Sequence, residues 1–424
     1  MGSRNGNEDD DDDDDNGIAK NITISGITFT QTETTFMDQY EVPSPGDWSI
    51  RRDGTIFIEN TENIMITNCK LIRTGGNGIF LSGHAKQTNI IRNEFSYIGD
   101  SAIATVGRIV MNDGYTVDTY PDKTIIDSNH IHDIGLIGKQ TSALFSALTC
   151  RTTFINNILY NGPRAGININ DQFCHGHNIS NNLLFNWVRE TQDHGPINTW
   201  DRAMYIQKGH DNEPSLIPQW AYIERNFIMN GPSGNRNLGN LFPTIDNDDG
   251  SSYYYISNNF LVYGGAKNYL GHDKIWTNNL LLHPGRWSHD PCGMIWGGEN
   301  HHFTNNTCVV VSGDEPIGLD GSLEGMHCLI DWSDYENNLK YVGRTSNNTY
   351  YIDIIGDNEK KDNNDEWGFY CGGRNNNGTS TSSHFFTMKE MQQHGWETGS
   401  EVLDSKHLTI DTIIDQAKKL LNDD

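Results

Sequence analysis

Short runs of β-forming residues end repeatedly in an asparagine, an apolar cluster and a glycine. The phrase appears as "IMITNCKLIRTGG", "NIIRNEFSYIG", "TIIDSNHIHDIG", "TFINNILYNG", "NISNNLLFN", "YIERNFIMNG", "YYISNNFLVYGG", "KIWTNNLLLHPG" and "HFTNNTCVVVSG". Apolar and polar positions alternate within the runs, the two-residue period of a strand with one buried face. Aligned on Asn68, Asn93, Asn129, Asn157, Asn182, Asn226, Asn259, Asn279 and Asn306, the copies are spaced by 25, 36, 28, 25, 44, 33, 20 and 27 residues. The short spacings set a period in the twenties, and the long ones mark insertions. Strands this short bury nothing alone; a repeat of this length, stacked on itself, makes an all-β right-handed parallel β-helix with inserted loops. A β-propeller would need about 40 to 45 residues per blade. Asparagine suits the bends, because it tolerates the left-handed conformation and its amide can bond up and down to equivalents on neighbouring coils.

Helical periodicity is nearly absent until "TIDTIIDQAKKLL", residues 409–421, where Ile413, Ile414, Ala417, Leu420 and Leu421 make an apolar stripe. This predicts a short C-terminal helix packed on the solenoid, since an open end needs covering. The organisation read from the chain is an acidic, disordered tail or linker over 1–17, a β-helix over 18–345, and a C-terminal extension with its closing helix over 346–424. "NITISGITFTQTE" at 21–33 already reads as a coil with no cap before it, so an upstream segment is expected.

Charge narrows the partners. The net charge is −26, and setting aside the tail's eight acids and its Arg4 leaves −19, which argues against nucleic acid and anionic lipid. The longest apolar runs stop after a few residues, far short of the roughly 20 of a membrane span. A monomer is expected. The seven cysteines show no Cys-x-x-Cys pair and are odd in number; they read mostly as buried thiols. Asn-X-Ser/Thr acceptors at Asn21, Asn178, Asn305, Asn347 and Asn377 favour a secreted protein, although no secretion signal opens the chain.

On a solenoid, chemistry sits on loops and on side chains stacked along one strip. The largest insertions follow Asn93 and Asn182, and the second contains "RETQDHGPINTWDR", residues 189–202, dense in ionisable groups. In the preceding coil, alternation within "GININD" sends Ile167 and Ile169 inward and Asn168 and Asn170 outward; "GPINTWD" sends Asn198 and Trp200 outward beside Asp201 and Arg202. Matching distances from the repeat asparagines add Lys139, Gln140, Arg164, Asp171, Glu190, Asp193 and His194 to one patch. Tryptophan stacks on a sugar ring, amides bond hydroxyls, and two carboxylates share the acid and the nucleophile or base duties of glycosidic cleavage. The bland alternative is a salt-bridged ladder of Arg and Asp on adjacent coils. "CHGH" (174–177) lacks a second ligand pair at zinc spacing, "NHIHD" (130–133) reads as surface, and "DNDDG" (246–250) lacks the bidentate Glu of a calcium loop. No metal site is expected.

The run "GKQTSALFSALTC … YNGPRAGININDQF … LLFNWVRETQDHGPINTWDR" resembles right-handed parallel β-helix proteins of the pectin-lyase-like superfold, and is similar to α-fucosidase- and xylanase-type β-helix glycoside hydrolases. "YEVPSPGDWSI" (40–50), "GGNGIFLSG" (75–83) and "FTMKEMQQHGWETGS" (386–400) extend the likeness over most of residues 20–400. "DHGP" and "TWDR" depart from the commoner "DAGA" and "GRD" forms. The resemblance implies carboxylate-catalysed carbohydrate cleavage, carried by Glu190, Asp193, Asp201 and Arg202 with Arg164 and Asn170. The resulting expectation is a glycoside hydrolase without cofactor, acting on a poly- or oligosaccharide. Asp193 and Asp201 are its catalytic carboxylates, with Glu190 and Asp171 in reserve, and Lys139, Gln140, Arg164, Asn168, Asn170, His194, Asn198, Trp200 and Arg202 hold substrate. The alternatives are a lyase or epimerase acting on uronates, with calcium as a possible cofactor, and a non-catalytic glycan-binding solenoid.

Overall fold

The computed structural model describes residues 17–39, 50–108, 111–112, 115–116, 119–171, 175–191, 194–200, 207–208, 214–215, 219–230, 243–268, 271–282, 292, 300–310, 326–329, 344–352, 368–372 and 384–422. Between residues 56 and 268, each coil lays short strands on three faces. One coil contributes Thr153–Ile155, Ile158–Tyr160 and Ile167–Asn170, and the next Asn178–Ser180, Leu183–Phe185 and Ile197–Trp200. They pair in parallel, with Thr153 opposite Asn178, Ile158 opposite Leu183 and Ile167 opposite Ile197. The fold is an all-β parallel solenoid, as the repeat predicts.

The first face runs from Ala19–Ser25 to Arg344–Ser346, and the second from Thr28–Thr30 to Glu401–Asp404. The third begins in the strand Ile56–Thr67, which pairs with Ile79–Lys86, and reaches Ala266–Asn268. Alternate residues of these strands point inward, so Phe154, Leu159 and Ile167 meet in one coil and Ile179, Leu184 and Ile197 in the next, each at most 2% exposed. Burying such a side chain contributes about 1.5–3 kcal/mol, repeated coil after coil.

The asparagines divide two jobs between neighbours. Arg92, Ser128, Asn156, Asn181, Arg225, Asn258, Asn278, Asn305 and Asn347 hold the left-handed conformation at the bend between the first and second faces. The residue that follows each one is the buried ladder asparagine. Its Oδ1 accepts the backbone and side-chain N–H of the previous rung, as Asn182 does from Asn157 at 2.9 and 3.1 Å. The alignment on Asn68 is therefore one residue off: Asn68 is itself left-handed, and Cys69 occupies the ladder position, its N–H donating to Asn93 Oδ1. The repeat also missed a rung. Asn348 accepts from Asn306 and hands the ladder to Ser400 and Glu397.

Two further expectations need correction. The helix forms over Ile410–Leu421, yet it lies on the outer side of the second face, where Ile413, Ala417 and Leu420 pack with Phe260, Leu280 and Val309. It covers a face that would otherwise expose apolar rows, and Ile414 is left 42% exposed. A second helix, Met388–Gln393, was not foreseen; Thr387 and Glu390 form its capping box. Among the cysteines whose side chains are described, thiols are also not the majority. Cys292 and Cys308 form a disulfide, Cys150 is disulfide-bonded, and Cys69 is a buried free thiol. Replacing Cys292 and Cys308 together with serine is expected to cost about 3 kcal/mol of stability, read as a lower urea midpoint against the oxidised parent. Among the described residues no helix is long and apolar enough to cross a membrane.

Candidate functional site

The third face carries the candidate site on its outer side. Pairing from strand to strand aligns one outward row as Phe80, Ala104, Phe145, Asn168, Asn198, Asp246 and Lys267. A parallel row aligns Ser82, Val106, Ala147, Asn170 and Trp200. Successive strands lie about 4.8 Å apart. Phe80, Ala104, Val106, Phe145, Ala147 and Trp200 form an apolar cluster separate from the main core. The strip is therefore apolar over its early coils and turns polar from Asn168 onward.

The expected register holds: Asn168 stands beside Asn198, and Asn170 beside Trp200, with Ile167, Ile169 and Ile197 in the core. Outward does not mean exposed, however. Asn168, Asn170, Asn198 and Trp200 are all buried, where each polar group needs a partner. Arg164, itself 2% exposed, donates from Nη1 to Asn168 Oδ1 at 2.7 Å, and Asn168 Nδ2 donates to Asn170 Oδ1. Asn198 Oδ1 is buried with no hydrogen-bond partner among the described residues.

Local packing explains how Arg164 gets there. The Trp187 indole donates to the Leu159 carbonyl at 3.2 Å and lies where side chains at Gly162 and Gly166 would stand, a Cβ at Gly162 falling 1.8 Å from the ring. Only glycine lets the loop between the second and third faces close over this ring. The loop is pinned from the next coil by Val188 N–H to the Arg164 carbonyl and Glu190 N–H to the Pro163 carbonyl.

The remaining members scatter. Lys139 Nζ and Glu190 Oε1 pair at 3.0 Å with both side chains nearly half exposed, a surface ion pair of about 0–1 kcal/mol. Gln140 Oε1 is a buried acceptor without a partner among the described residues. Asp171, left-handed at φ 42°, sits at the end of the Asn170 strand and donates its N–H to the Trp200 carbonyl. His194 is half-buried ahead of Ile197. Asp193, Asp201 and Arg202 lie outside the described residues.

Two charged residues were missed. Asp246, fully buried, stands beside Asn198, and Lys267 stands beside Asp246. Lys267 Nζ lies 3.3 Å from Asp246 Oδ1 and 3.2 Å from Asp248 Oδ1. The signal was present: "PTIDND" carries the alternation of "GPINTW", with Ile245 inward and Asp246 outward. Weighing "DNDDG" only as a calcium loop hid it. Among the described residues, no group of three or more His, Cys, Asp or Glu is placed to hold a metal. The strip thus offers a guanidinium, three amides, an indole and a carboxylate–ammonium pair along one line.

No protein-family model matches the chain, and no curated protein matches it. A solved structure of a "Glycoside hydrolase" is similar to it at 14% identity and a TM-score of 0.47. That match covers 63% of this chain and 48% of the other, about half of the neighbour's length.

Proposed function

We propose that the protein is a carbohydrate-active enzyme, a glycoside hydrolase that binds a poly- or oligosaccharide along the outer strip of the third face. The observation that carries this reading is the aligned row of Asn168, Asn198 and Asp246 beside Asn170 and Trp200, with Asn198 Oδ1 buried and unpartnered among the described residues. An orphaned acceptor in a row of amides is completed by a hydroxyl donor, and the adjoining indole and apolar cluster offer a surface for a sugar ring. Asp193 and Asp201 flank the strand Ile197–Trp200 in sequence and are the catalytic carboxylates of this reading, with Asp246 one strand further on. The Cys292–Cys308 disulfide supports an oxidising, extracellular setting.

The test is a panel of polysaccharides assayed for new reducing ends. Turnover of at least one neutral glycan is expected, with Asp201→Asn lowering kcat about 10²-fold and Asn198→Ala raising KM about 10-fold with little change in kcat. Products that absorb in the ultraviolet as unsaturated uronates would replace hydrolysis with elimination. Tight glycan binding that survives Asp193→Ala/Asp201→Ala without any turnover would leave only a binding solenoid.

A further inference from the structure

Directly beneath the polar end of the strip, the interior of the solenoid carries buried polar side chains and a buried lysine. One inward row of the third face runs Leu81, Thr105, Ser146, Ile169, Thr199, Asn247 and Asn268, so it is polar at Thr105 and Ser146 and again at its last three positions, two of them amides. The fully buried Lys274, from the first-face strand Lys274–Thr277, sends its side chain across this interior, and its Nζ donates to the Asn247 carbonyl at 3.3 Å. Asn247 lies between Asp246 and Asp248, the two carboxylates that Lys267 bridges. One short strand is therefore gripped by two lysines, Lys267 at its outward carboxylates and Lys274 at the carbonyl between them.

We propose that Lys274 is a positioning residue for Asp246, fixing from inside the strand that carries this carboxylate into the site and supplying a second cation beneath it. The inference rests on the reading of the strip as a substrate site. A buried ammonium is costly to desolvate, and a hydrophobic side chain would fill the same space without that cost. What the lysine adds is charge within reach of Asp246. The groups around it are Tyr254 on the adjoining first-face strand and His301, whose Nδ1 accepts the Lys274 backbone N–H at 3.3 Å, while Asp246, Asp248, Asp249 and Lys267, on or beyond the far wall, act on its charge through space. Burial pushes the Lys274 amine down to about 7, and Asp246, followed by Asp248, opposes that fall. By reciprocity, the charged lysine favours an ionised Asp246.

Two experiments decide it. In the substrate-free protein, Asp246→Asn is expected to lower by about one pH unit the midpoint at which the Lys274 ε-carbon NMR signal titrates. An unmoved midpoint overturns the coupling, whether or not the protein cleaves glycans. In the pH–rate profile, Lys274→Met and Lys274→Gln are both expected to move the acid limb upward by about one unit with KM changed less than about 3-fold. Equal loss of kcat at every pH in both variants would show a merely structural residue. Absence of turnover on any glycan, with the NMR midpoint shifted, would sink the hydrolase reading and keep the coupling.

Discussion

Asn182→Ala is expected to lower the free energy of unfolding by about 4 kcal/mol, the sum of four buried side-chain hydrogen bonds at about 1 kcal/mol each. Asn182 Oδ1 accepts from the Asn157 backbone N–H and Nδ2, and Asn182 Nδ2 donates to the Phe154 carbonyl and to Asn226 Oδ1. Truncation leaves the Asn157 N–H without an acceptor in a site that is 1% exposed, so the loss includes the desolvation of an orphaned donor. The adjacent Asn181 makes a sharp control. It is exposed and left-handed at φ 56°, so Asn181→Ala is expected to cost about 1 kcal/mol from backbone strain alone. Urea unfolding of the two variants gives the comparison. Equal losses would mean that the ladder contributes no more than the bend.

That pair of residues also shows how far the sequence could be read. Asn181 and Asn182 are adjacent and chemically identical, and one period of asparagines was enough to predict coils, stacking and a ladder. Which neighbour takes the left-handed bend depends on backbone geometry that a letter does not encode. The consequence was a one-residue error at Asn68, where a cysteine fills the ladder position. The candidate site was legible for the same reason as the core. Alternation within "GININD" and "GPINTW" fixes which side chains share a face, and the parallel pairing then brings Asn168 to Asn198 and Asn170 to Trp200. Burial was not legible. An outward side chain is exposed only where nothing packs over that part of the sheet, and strand period carries no information about what covers the strip. Glu190 illustrates the limit of counting from a repeat asparagine. It meets Lys139, as the register allows, but in a solvent-exposed ion pair away from the amide row. Asp246 was missed because a motif template was applied to a stretch whose alternation already placed it.

Lys274→Met is expected to stabilise the protein by about 4 kcal/mol at pH 6, an effect that fades as the pH rises and vanishes above about pH 10.5. The sign follows from the depressed amine. An unfolded lysine titrates near 10.5, whereas burial holds the folded one at about 7. Below pH 7 both states carry the proton and the folded state bears the full cost of a buried cation. Between 7 and 10.5 folding releases that proton and the cost falls; above 10.5 both states are neutral and nothing remains. Methionine, similar in length and uncharged, has no such term, and its packing error is at most about 1.5 kcal/mol. Other groups titrate in the same range, so the quantity to measure is the difference in unfolding free energy between parent and variant at each pH, in which their contributions cancel. A difference that stays constant from pH 6 to pH 10.5 would mean that Lys274 is solvated in the native protein. Its side chain would then not cross the interior to the Asn247 carbonyl, and the strand bearing Asp246 would be held from the outer side alone.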